Sequence, residues 1–121
     1  MALLNATPIF RIFDVDKARE FYIDFLGFSI TFEHRFEDNA PLYMGLARDN
    51  VRLHLSEHHG DATPISSLRI EVSDIETFHA ELTAKDYRYA NPGLQQQCWG
   101  CREIIVQDPF GNRLVFFEND A

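Results

Sequence analysis

The sequence predicts an α+β fold: two β-α-β-β-β modules forming a curved mixed sheet with the helices outside. Three observations carry this. A β-rich run, an Asp-capped amphipathic helix and further strand-like runs follow one another in the first half, and the same order begins again after residue 64. The two candidate helix caps, Asp14 and Asp74, stand 60 residues apart. Between the halves lies one polar stretch containing Gly60 and Pro64. A single module of this kind cannot bury both faces of its sheet. Two copies, side by side or exchanged between chains, are needed to enclose a core and leave a concave cleft.

Module 1, residues 1–57, opens with Ile9-Phe-Arg-Ile-Phe13, which predicts a strand over residues 7–13. Asp14 or Asp16 then caps a helix by accepting from an otherwise unpaired amide. Ala18, Phe21, Tyr22, Phe25 and Leu26 share one apolar helical face. Gly27 supplies the left-handed residue that ends it. Strands are expected near residues 28–36, 41–47 and 51–56, separated by Glu37-Asp-Asn-Ala-Pro41 and Arg48-Asp-Asn50. Residues 58–64 form the linker, and module 2 covers residues 65–121. There residues 67–72 alternate like a strand, Asp74 caps, and Ile75, Phe78, His79 and Leu82 mark a helical face. A loop through Asn91-Pro-Gly93 and past the polar Gln95-Gln-Gln97 run leads to strands near 101–107 and 113–118. Asp108-Pro-Phe-Gly-Asn112 joins them, with Pro presetting φ and Gly accepting a positive one.

With 121 residues the chain is expected to be one domain. Its 45% hydrophobic and 25% charged residues are those of an ordinary globular protein. The net charge of -8 argues against nucleic acid and anionic lipid, which need clustered Lys and Arg. Cationic or neutral small molecules are the easier partners. No apolar run reaches membrane-spanning length, and the first residues have no basic, apolar leader pattern. Cys98 and Cys101 make no disulfide framework, so a reduced, cytoplasmic protein is expected.

Phe21-Tyr22, Leu26-Gly-Phe28 and Asp108-Pro-Phe-Gly-Asn112, followed by Arg-Leu-Val-Phe-Phe-Glu118, resemble the vicinal oxygen chelate superfamily. That superfamily includes glyoxalase I, extradiol dioxygenases and the bleomycin resistance proteins, and the resemblance spans nearly the whole chain. It implies the glyoxalase/bleomycin resistance fold. Catalytic members place His or Glu at four inward strand positions around one divalent ion. Counted from the matched motifs, these fall on Thr7, His54, Leu68 and Val115, and a 61-residue offset relates both Thr7 to Leu68 and His54 to Val115. Only His54 is a useful ligand, whereas a catalytic metal wants about three protein ligands. No metal and no cofactor are therefore expected. Leu26-Gly-Phe-Ser29, Arg48-Asp49 and Trp99-Gly-Cys-Arg-Glu103 resemble the bleomycin resistance proteins, with a longer stretch between Ser29 and Arg48 and Cys101 as one extra residue.

That resemblance implies a homodimeric binder that sequesters a bleomycin-type or similar planar, cationic antibiotic without breaking a bond. Trp99, the only tryptophan, and Phe32 and Tyr43 would stack on the ligand, with Tyr43 opposite Trp99. His54 and Arg102 complete the expected ligand-binding set. One alternative is a metal-dependent enzyme of glyoxalase or dioxygenase type that uses His54 and further ligands; another is a carrier for some other, similarly planar metabolite. His58 and His59 fall in the linker and read as solvated. Cys98-Trp-Gly-Cys101 has a redox or half-zinc spacing, but it runs into a strand and lacks a second cysteine pair, so both read as loop cysteines.

Overall fold

The computed structural model describes residues 1–121. The first half contains β1 (Ile9–Arg11), α1 (Val15–Arg19, continuing as a π-helical turn, Glu20–Phe25), β2 (Ser29–His34), β3 (Tyr43–Arg48) and β4 (Val51–Ser56). The second contains β5 (Ser67–Glu71), α2 (Ile75–Ala84), β6 (Leu94–Gln97), β7 (Cys101–Gln107) and β8 (Arg113–Asn119). They make two four-stranded sheets, ordered β1-β4-β3-β2 and β5-β8-β7-β6. In each sheet the first strand of the module runs parallel to its last, and the other pairs are antiparallel. The β-α-β-β-β order is thus repeated in topology as well as in sequence.

Both helices start as their sequences dictate. Asp14 accepts from the Lys17 amide at 2.9 Å, and Asp74 from the Thr77 amide at 3.1 Å. All five apolar residues expected on the α1 face are buried. The π-helical turn is an addition to the sequence reading: the Leu26 amide donates to the Phe21 carbonyl, five residues back, at 3.0 Å. Gly27, at φ 77°, then turns the chain so that the Phe28 amide reaches the Tyr22 carbonyl at 2.9 Å.

β1 is shorter than expected, although its bonding continues at both ends. The Pro8 carbonyl accepts from His54, and the Ile12 amide donates to Ser56, each at 2.9 Å. β6 corrects the sequence reading, which leaves residues 94–97 in a loop. Three glutamines hide the alternation that reveals a strand, yet their backbone pairs with β7 from Leu94↔Ile104 to Gln97↔Cys101.

One continuous core of 21 buried residues draws on both modules. Met44, Leu46, Leu53 and Leu55 of the first sheet and Ile104, Val106, Leu114 and Phe116 of the second all face it. The alternate residues of every strand are directed away from this core. Each module therefore presents one open sheet face. No helix is long and apolar enough to cross a membrane.

Candidate functional site

The open face of module 1 gathers three of the expected ligand residues. Register places His54 opposite Gly45, with Tyr43 on the same open row and Phe32 opposite Gly45 from the other side. Phe32 stacks on Tyr43 with ring centroids 6.1 Å apart, and both rings meet the His54 imidazole edge-on at 5.2 Å. The Tyr43 hydroxyl and His54 Nδ1 are hydrogen-bonded at 2.7 Å. Two backbone features create this arrangement. The ladder shifts register between Ile30 and Phe32; an unshifted ladder would pair Phe32 with Met44, on the core side. At Gly45 a Cβ would lie 2.2 Å from the Phe32 ring, so only glycine leaves room for it.

The electrostatics keep this trio neutral. Desolvation lowers the His54 pKa. Desolvation first, and the nearby Asp61 carboxylate second, raise that of Tyr43. Near neutral pH the phenol stays protonated and the imidazole uncharged, so a single neutral hydrogen bond joins them. His54 therefore contributes polarity and a ring edge to the face.

The open face of module 2 is built differently. Val115 stands where module 1 has His54, and Ile105 where it has Gly45. Glu103 is only 3% exposed, and its carboxylate accepts from Arg69 at 2.8 Å and Gln97 at 3.2 Å. The Arg69 guanidinium also lies 4.3 Å from the Phe117 ring centre. The carboxylate is thus already compensated.

One expected position needs correction. Leu68 pairs with Leu114 on the core side, while Arg69 pairs with Val115 on the open row. The two modules are offset by 60 residues through the first strand and helix cap, Ile9 to Arg69 and Asp14 to Asp74, but by 61 at the last strand, His54 to Val115. Carrying 61 back to the first strand slips the register by one residue, which exchanges the faces. Ser67 and Arg69, rather than Leu68, occupy that row. Across the chain, no three His, Cys, Asp or Glu side chains are arranged to hold a metal ion.

Trp99 and Arg102 do not join the trio within the chain. Trp99 sits in the turn between β6 and β7, is 64% exposed, and makes no ring contact with Tyr43 or any other aromatic. Arg102 departs from its expected place. Its register partners, Gln96 and Glu118, lie on the helix side, where it pairs with Glu76 at 2.7 Å and Glu118 at 3.1 Å, tying α2 to β8. Cys98 is exposed in the turn, whereas Cys101 is buried and opens β7, so only the first is a loop cysteine. The sequence reading also passed over Gly45, Arg11 and Arg52 on the open row. The available signals were a lone glycine inside a strand and the alternation Arg52-Leu-His-Leu55.

The residues that carry the family resemblance meet at the joint between modules. Asp108, 4% exposed, accepts from the Tyr22 hydroxyl at 2.7 Å and from the Asn112 side chain at 2.9 Å. Asn112 also donates to the Arg11 carbonyl at 2.9 Å. Arg48 grips Glu81 through two hydrogen bonds of 2.7 and 2.8 Å and packs against Gly27. These motifs hold the modules together and are not aimed at the open faces. A cavity of 460 Å³ beside the Arg48–Glu81 pair, lined by Leu26, Val51, Ile70, Phe78 and Phe116, is the space left at that joint.

Comparison with known proteins agrees with this architecture. The family model for glyoxalase superfamily proteins matches residues 1–121. A bleomycin resistance protein of Geobacillus stearothermophilus is 27% identical over 134 aligned positions, covering 96% of this chain and 97% of that one. The crystal structure of the bleomycin-binding protein from bleomycin-producing Streptomyces verticillus, complexed with copper(II)-bleomycin, superposes with a TM-score of 0.69 at 30% identity, covering 100% of this chain and 98% of that one. A bleomycin-binding protein complexed with bleomycin gives a TM-score of 0.72 at 25% identity, covering 98% and 100%. The chain belongs to the glyoxalase superfamily and has the glyoxalase/bleomycin resistance fold.

Proposed function

We propose that this member of the glyoxalase superfamily is a non-catalytic, metal-free binding protein that sequesters a planar antibiotic of the bleomycin type in the cytoplasm. The observation that carries the reading is the stacked Phe32–Tyr43 pair beside a neutral His54 on an open sheet face. Such a surface offers flat apolar contact with a polar edge. The kinship with bleomycin-binding proteins supports it. Of the residues on the four positions that hold metal in catalytic relatives, only His54 is a strong ligand.

The module 1 face lacks a second wall. Trp99 is exposed on module 2 and has no partner ring in its own chain. Two copies related by a two-fold axis would bring Trp99 of the partner subunit over the trio and make two equivalent sites. Capture is then stoichiometric: the ligand's rings lie between aromatic walls, and no bond is broken.

Bleomycin titrated into the protein should change the emission of Trp99 and saturate at one or two ligands per dimer. Trp99→Ala should weaken binding by about 1–3 kcal/mol, the scale of a stacking aromatic at a hot spot. Light scattering should give twice the chain mass, and mass spectrometry should recover the drug unchanged. A monomer that still binds would remove the shared-site geometry. A chemically modified drug would favour a metal-dependent enzyme instead.

A further inference from the structure

Water reaches the 21-residue core chiefly at one place. The four most exposed members of that core are Ile70 and Phe78, each at 8%, and Phe28 and Phe116, each at 4%. All four line the 460 Å³ cavity at the joint between the modules. The β3–β4 turn borders it from module 1, and the end of β5 and the first turns of α2 border it from module 2. Val51 and Val72, both partly buried, add to the apolar lining.

The charges at this cavity are nearly all of one sign. Asp49, Glu71, Asp74 and Glu81 line it, against a single cation, Arg48. The Arg48 guanidinium is already committed: it donates to the two Glu81 oxygens at 2.7 and 2.8 Å and to the Leu26 carbonyl at 2.7 Å. Asp49, Glu71 and Asp74 form no ion pair. Neighbouring cations are engaged elsewhere, Arg102 by Glu76 and Glu118 and Lys85 by the Asp24 carbonyl. An apolar recess edged by three unpaired carboxylates concentrates negative potential, because its low-dielectric walls focus the field. The 460 Å³ volume falls among small-molecule pockets, roughly 300–1,000 Å³, which favour the joints between folded units.

We propose that this cavity is a second ligand site, separate from the aromatic face of module 1, and that it takes a small aryl-alkyl ammonium ion. The aryl ring lies against Phe28, Ile70, Phe78 and Phe116, where three aromatic rings offer edges and faces to it. The ammonium, a donor with no acceptor, reaches the carboxylates of Asp49 and Glu71 at the edge. An anion of the same shape meets like charge there. The site needs neither a second copy of the chain nor capture of an antibiotic on the open face, so either reading can fail alone.

The test is a series of similar shape and different charge: 2-phenylethylammonium, 2-phenylethanol and 3-phenylpropionate, titrated into the full chain and followed by NMR. The ammonium should saturate and move the amide signals of Val51, Ile70 and Val72, while the Trp99 indole signal stays in place. It should bind about fivefold more tightly than the alcohol, a modest margin because exposed carboxylates act through water, and the propionate should bind most weakly. Asp49→Asn combined with Glu71→Gln should bring the ammonium to the level of the alcohol. Val51→Phe, which fills part of the cavity, should abolish binding of both. Should Val51→Phe fail to fold, the double variant, confined to exposed side chains, carries the test. Absence of saturation at millimolar concentration, shifts centred on Phe32, Tyr43 and His54, or ammonium binding that survives in folded Val51→Phe overturns the site. A propionate that binds as tightly as the ammonium, or a preference unchanged in the double variant, overturns the assignment of an ammonium ligand.

Discussion

Module 1 and module 2 share one topology and differ in what fills their open rows. At corresponding positions module 1 has His54 over Gly45, and module 2 has Val115 beside Ile105. The glycine leaves a hollow that the Phe32 ring enters. The isoleucine and valine fill the same space with aliphatic side chains. One sheet face thus becomes an aromatic surface. The other becomes an aliphatic face whose one buried carboxylate, Glu103, is held by Arg69 and Gln97. The core rows fix the fold in both modules, so the alternate row is free to differ in chemistry. A repeated frame with unequal faces suits the proposed site completed by a second copy, in which each aromatic half would meet a partner half that carries Trp99.

The strongest way to break this comparison is to uncouple the modules. Asp108→Ala removes the acceptor shared by Tyr22 and Asn112 in a buried setting, and should cost about 3–5 kcal/mol in denaturant unfolding. A loss below about 1 kcal/mol would show that the joint does not depend on this carboxylate.

Gly45→Ile gives module 1 the side chain found at the matching place in module 2. The new Cβ collides with Phe32, so the ring must leave the face. Stability should fall by about 1–3 kcal/mol, and bleomycin binding should be lost while the protein stays folded by circular dichroism. Retained binding would mean that ligand does not use the Phe32 wall.

Glu81→Gln tests the second link between modules at smaller scale. Both partners are about a third exposed, so the loss should be about 1 kcal/mol or less and should shrink in high salt. The Arg48 hydrogen bonds hold the Glu81 pKa below the usual carboxylate value. Its contribution is therefore complete above the unfolded-state pKa and is lost as pH falls through the folded one. The melting temperatures of wild type and Glu81→Gln should converge in acid.

The smallest effect belongs to His54. Desolvation lowers its pKa, so between the folded and unfolded values the unfolded chain binds more protons. The stability it contributes is complete above the ordinary histidine value and falls as pH drops below it. NMR titration should place the His54 ring below an ordinary histidine, and His54→Gln should remove that part of the pH slope. A ring titrating at or above the ordinary value would contradict the neutral Tyr43–His54 pair.

The sequence by itself determined the order of elements, the two aspartate caps, the buried face of α1 and the Asp108–Asn112 turn. Each depends on residues within a few positions of one another: a side chain reaching its own helix end, or apolar side chains at helical spacing. The alternating row of β4 was legible too, and with it His54. Tertiary structure decided the rest. The π-helical turn and the shift at Thr31 add residues to regular elements, and one added residue exchanges the faces of a strand; periodicity cannot reveal it. The shift at Thr31 is why Phe32 falls on the open side, and Leu68 falls on the core side because module 2 has one residue more than module 1 between its helix cap and its last strand. β6 forms because β7 offers it hydrogen bonds, which a run of glutamines does not announce. Arg102 points toward α2 because Glu76 and Glu118 wait there, contacts that span 26 and 16 residues of chain.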